Sequence, residues 1–116
     1  RPDSPTLGHS VAIEVSAEAR NQVWIPRGFG HAFCTLDDDT EVFYKVDAPW
    51  APEAERSILW SDPALGIDWT VDTGAMTLSD KDADAPSFAE ILAEIEAALN
   101  AVEPADEHQH DEQERS

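Results

Sequence analysis

Two side chains able to carry protons, His31 and Tyr44, stand at a spacing that lets them meet. His31 follows the run Val23-Trp24-Ile25-Pro26-Arg27-Gly28-Phe29-Gly30, where an apolar segment breaks at a proline, a charge and two glycines before turning apolar again. An imidazole exchanges its proton near neutral pH and a phenol holds its proton to about pH 10, so the pair suits general acid–base chemistry. Each also has a structural role open to it: Tyr44 as a core tyrosine with a satisfied hydroxyl, His31 as a histidine fixed behind a glycine-rich turn. A metal is not expected, because a metal centre needs several histidines and carboxylates converging and this stretch supplies one histidine. Cys34 lies in the same apolar run without an activating neighbour and reads as a buried thiol.

The elements that would position the pair follow from alternation. Val11, Ile13 and Val15 alternate with Ala12 and Glu14, the period of a half-buried strand. A second short strand is expected over 22–25, stopped by Pro26, then a third over 31–36 and a fourth over 41–46. Asp37-Asp38-Asp39-Thr40 makes the loop between the last two. In that register Leu36 opposes Glu41, Phe33 opposes Tyr44 and His31 opposes Val46. His31 and Tyr44 then become diagonal neighbours on one face, roughly 5 to 8 Å apart at Cβ.

Beyond residue 47 the chain is richer in proline, with a turn at Ser61-Asp62-Pro63 and a further short strand expected over 67–69. Ser87 with Glu90 three residues on forms a capping box, and Phe88, Ile91, Leu92, Ile95 and Leu99 follow at helical spacing. The reading divides the chain into a β-rich part over 1–85, a packing helix over 86–100 and an acidic, disordered tail over 101–116. His108 and His110 in that tail make too weak a set for a specific metal site.

With 116 residues the chain is one domain's worth, and its single cysteine rules out an internal disulfide framework. Its 25 acids against 7 Lys plus Arg leave a net charge of −18, which repels nucleic acid and anionic membranes and is consistent with a salt-adapted source. No apolar run approaches a membrane span and the first residues are polar, so a cytoplasmic location is expected. The first residues, Arg1-Pro2-Asp3-Ser4-Pro5-Thr6, read as a turn already in progress.

Several motifs occur in a fixed order: Trp24-Ile25-Pro26-Arg27-Gly28-Phe29-Gly30-His31-Ala32-Phe33, Phe43-Tyr44-Lys45, Pro52-Glu53-Ala54-Glu55-Arg56, Trp60-Ser61-Asp62-Pro63, Gly66-Ile67-Asp68-Trp69 and Leu78-Ser79-Asp80-Lys81-Asp82. In order and spacing the set resembles the dTDP-4-dehydrorhamnose 3,5-epimerases over residues 1 to about 90. The resemblance implies an all-β fold, a cupin-type jelly roll present here in incomplete form with a C-terminal helix. It implies a homodimer without cofactor or metal, acting on dTDP-4-dehydro-6-deoxy-D-glucose in dTDP-L-rhamnose synthesis. The C4 ketone acidifies the protons on C3 and C5; a base removes each in turn and an acid returns it on the opposite face. By the same resemblance Tyr44 is the proton donor, and Asp82 orients the catalytic histidine. His31, Trp50 and Lys81 line the substrate site.

The resemblance also places the catalytic base, a histidine, and the cations for the diphosphate in a preceding half that these residues do not include. Three expectations follow: the chain is part of a complete epimerase, it recruits its other half from a second polypeptide, or it is a non-catalytic cupin module binding a sugar nucleotide or a protein partner. Sheet edges left open by the other half predict self-association.

Overall fold

Short-range turn chemistry shapes the first half of the chain in the computed structural model, which describes residues 1–102. Asn21 stands in for backbone at the first turn: its Nδ2 donates to the Glu14 carbonyl at 2.8 Å and its Oδ1 accepts from Ser16 N at 3.1 Å. The Arg20 amide donates to the Ser16 carbonyl at 3.0 Å, with Arg20 in the left-handed region at φ 51°. At the 37–40 turn Thr40 Oγ1 donates to the Asp37 carbonyl at 2.7 Å, and Asp39, a residue type that tolerates positive φ, sits at 55°. Gly28 takes φ 91° in the turn after Pro26, and its carbonyl accepts from the Arg1 ammonium at 3.1 Å. A Cβ at Gly28 would lie 2.6 Å from Arg1 Cγ, so the position needs glycine on both counts.

The turns close, but the arms between them do not pair. Among the described residues there is no β-strand, which corrects the expected all-β jelly roll and the meander over 11–46. The physical reason is that alternation states which face of a segment would be buried, whereas a strand exists only when its N–H and C=O groups meet a partner's. No backbone hydrogen bond joins 31–36 to 41–46 among the described residues, so the ladder that would set His31 beside Tyr44 is absent. The apolar side chains of these arms stand in solvent, Val11 at 87% and Phe43 at 86% of full exposure. Cys34, expected to be buried, is half-buried, its Sγ 3.6 Å from the Thr35 carbonyl. The accessible surface is 10957 Å², against roughly 6,200 Å² for a compact chain of this mass. The radius of gyration, 19.0 Å, likewise exceeds the roughly 13 Å of a compact chain of this length.

The second half holds together through local devices. Single 3-10 turns occupy Pro52–Ala54 and Thr73–Ala75, and two helices follow: α1, Asp80–Ala83, and α2, Phe88–Val102. The capping box before α2 forms in both directions, with Glu90 N donating to Ser87 Oγ at 3.2 Å and Ser87 N donating to Glu90 Oε2 at 2.8 Å. Asp62 reaches across to the same helix end: its Oδ2 accepts from Phe88 N at 2.7 Å while its Oδ1 accepts from Ala64 N at 2.9 Å. These bonds hold both carboxyls below their ordinary range. For Asp62 the Phe88 amide contributes most and the Ala64 amide next; for Glu90 the Ser87 amide leads, followed by its hydroxyl.

Leu59 N donates to the Pro86 carbonyl at 2.8 Å, drawing the 57–60 segment along the helix entry. The expected strand at 67–69 is also absent; Asp68 Oδ1 instead accepts from Thr70 N at 2.9 Å, and Thr70 takes φ 60°. Trp69 turns its indole onto Trp60, edge to face at 6.1 Å, and donates to the Trp60 carbonyl at 3.1 Å. Gly8 lies against the ring of Phe88, where a Cβ would sit 3.7 Å from Cε1. At the centre is Ile91, 3% exposed and the buried residue of this half, with a hydrophobic contribution of about 2 to 3 kcal/mol. No described helix is long and apolar enough to cross a membrane. α2 runs through Val102, two residues into the expected tail; the rest of that tail, with His108 and His110, lies outside the described residues.

Candidate functional site

Lys81 and Asp82 owe their place to Ser79. Its hydroxyl accepts from Asp82 N at 3.2 Å and caps the single turn of α1, so two adjacent charged residues are presented on a short, fixed element. Lys81 Nζ then reaches Glu55 Oε2 at 3.1 Å. Glu55 follows directly on the Pro52–Ala54 turn, which begins two residues after Trp50.

The Glu55 carboxyl is held below its usual range, first by the hydrogen bond from Lys81 and then by the lysine's charge. Desolvation opposes this weakly, and the Trp50 side chain adds a last small lowering. Both partners of the ion pair are about half exposed, so the contact directs geometry more than it adds stability. Of the five sequence-predicted site residues, the structure joins Lys81 to Glu55; Asp82 stands next to Lys81 on α1, and Trp50, 75% exposed, precedes the Pro52–Ala54 turn.

Glu55 itself was not singled out by sequence reasoning. It was visible only as part of Pro52-Glu53-Ala54-Glu55-Arg56, and its partner lies 26 residues further on. The available signal was an acid next to a proline-initiated turn in a chain with few cations.

His31 and Tyr44 lie on the unpaired arms, Tyr44 at 72% exposure. No hydrogen bond or ion pair among the described residues joins either of them to Lys81 or Asp82. What the arrangement offers chemically is therefore divided: an exposed phenol on one arm, and a carboxylate beside a carboxylate-anchored ammonium on a capped turn.

Comparison with known proteins gives the chain its family. The profile of the family described as dTDP-4-dehydrorhamnose 3,5-epimerase matches residues 1–90, and the chain belongs to that family. A dTDP-4-dehydrorhamnose 3,5-epimerase of Sinorhizobium fredii is 46% identical over 91 residues, covering 78% of this chain and 46% of the relative. One from Pseudomonas aeruginosa is 46% identical over 90 residues, 78% of this chain and 49% of its own length. One from Salmonella typhimurium is 45% identical over 92 residues, 79% of this chain and 50% of its own. The chain thus spans about half the length of the curated relatives it matches. No solved structure matches it.

Proposed function

We propose that the chain supplies the acid-bearing portion of a dTDP-4-dehydrorhamnose 3,5-epimerase, acting on dTDP-4-dehydro-6-deoxy-D-glucose. The observation that carries this reading is the family match over residues 1–90, which contains Tyr44, Lys81 and Asp82 in their motifs. A ketone at C4 lets its flanking C–H protons leave as an enolate forms, and inversion requires the proton to return from the other face. Tyr44 is the donor in this scheme, since a phenol remains protonated at neutral pH and can give its proton to the enolate carbon. Asp82 orients the histidine that serves as base, a residue supplied from the part of the relatives that this chain does not span. Trp50 provides an aromatic face for the substrate, His31 a polar contact beside it, and Lys81 a cation near the developing negative charge.

The test is deuterium uptake from D₂O into the substrate, followed by proton NMR. The chain alone should leave C3 and C5 unlabelled, and the chain mixed with the complementary part of the Pseudomonas aeruginosa relative should label both. Silence in the mixture while the intact relative exchanges would end the catalytic reading in favour of a non-catalytic binding module.

A further inference from the structure

The Glu55–Lys81 pair is backed by a second ion pair. Arg56 folds its guanidinium over the preceding turn: Nη1 donates to the Glu53 carbonyl at 3.2 Å and the Glu55 carbonyl at 2.7 Å. Its Nε donates to Glu94 Oε2 on α2 at 3.0 Å. One planar fork therefore ties two carbonyls of the turn to a helix residue that lies past residue 90, where the family match ends. A lysine carries the same charge but not three donors in a fixed plane. An open cleft of about 620 Å³ separates α2 from α1, and Arg56, Asp80, Lys81, Asp84 and Glu94 line it with Glu55.

We infer that α2 positions Lys81: Glu94 holds Arg56, Arg56 fixes the backbone around Glu55, and Glu55 is thereby aimed at the lysine. Arg56 and Glu94 are positioning residues that act through Glu55. The functional meaning of the inference rests on the reading of Lys81 as part of the substrate site; the linkage itself does not.

The sign of one titration separates this linkage from simple charge effects. The probe is the carboxyl ¹³C signal of Glu55 in the full 116-residue chain, assigned by its loss in Glu55→Gln. Removing the negative charge of Glu94 by Glu94→Gln relieves repulsion and would, through space alone, lower the Glu55 midpoint. Releasing Lys81 raises it. The expected result is a rise of roughly 0.2 to 0.7 pH unit, the size of an exposed ion pair. Arg56→Lys, which changes no charge and loses the fork, should give the same rise, while Glu96→Gln on the same helix should give none. A midpoint that stays or falls in both Glu94→Gln and Arg56→Lys overturns the linkage. Because this readout needs no substrate, a silent deuterium exchange assay would refute the epimerase reading and leave this result intact.

Discussion

Residues 9–50 and residues 57–92 are comparably rich in apolar residues, yet one stretch is almost wholly exposed and the other encloses Ile91. The difference lies in where each stretch finds its hydrogen-bond partners. In the second, the capping box, the Asp62 bridge, the Asp68 turn and the Trp60–Trp69 contact satisfy backbone groups mostly over short separations, and a helix then carries its own ladder. In the first, the turns satisfy themselves and the arms are left with apolar side chains and free backbone groups. Period-2 patterning is thus a statement about a partner, and helical patterning is largely a statement about the segment itself.

That contrast can be broken by substitutions on either side of it. The largest expected effect is on chemistry in the exposed stretch. Tyr44→Phe, assayed in the deuterium exchange mixture, should lower the rate about 10²- to 10⁴-fold while substrate binding and the α2 helical signal by circular dichroism stay as they were. A shifted helix melt would show that the two stretches are coupled. Next comes Ile91→Ala, which should destabilise the packed half by about 2 to 4 kcal/mol, read as loss of α2 ellipticity; an unchanged melt would mean that Ile91 is not its centre. Ser87→Ala removes one direction of the capping box and should cost about 1 kcal/mol by the same measurement.

A smaller effect is expected from pH. The Asp62 and Glu90 carboxyls are lowered in the folded state, so their contribution to stability is fully present above their ordinary values of 3.8 and 4.5. It is lost as the pH falls through their depressed folded values. The α2 melt should therefore be flat above about pH 5 and decline below about pH 4, with a weaker decline in Asp62→Asn. The smallest effect is expected for Phe43→Ser, within about 0.5 kcal/mol of the parent melt. A loss of 2 kcal/mol or more would mean that the exposed arm is packed in solution.

What the sequence made legible divides along the same line. Ser87, Glu90 and the apolar stripe from Phe88 to Leu99 announced α2 because the capping box and the backbone ladder that form it lie within four residues. Asp37 to Thr40 announced a turn for the same reason, and the turn formed without its hairpin. The strands failed because alternation and a turn at 37–40 mark which segments could pair, while the ladder between 31–36 and 41–46 is not made. On the site, the adjacency of Lys81 and Asp82 was readable from their motif, whereas the Glu55 anchor was not, since it depends on a contact across 26 residues.

The four tryptophans give the molecule its own optical gauge. Trp24 and Trp50 stand 83% and 75% exposed on the unpaired stretch, while Trp60 and Trp69 are half-buried against each other. The first two should emit at long wavelength and yield readily to a neutral quencher such as acrylamide, and the second two should couple as a chiral pair of transition dipoles. Covering the exposed arms with any partner would then shift the emission to the blue and leave the exciton signal of the pair in place, so that assembly and local unfolding could be followed in the same cuvette without a label.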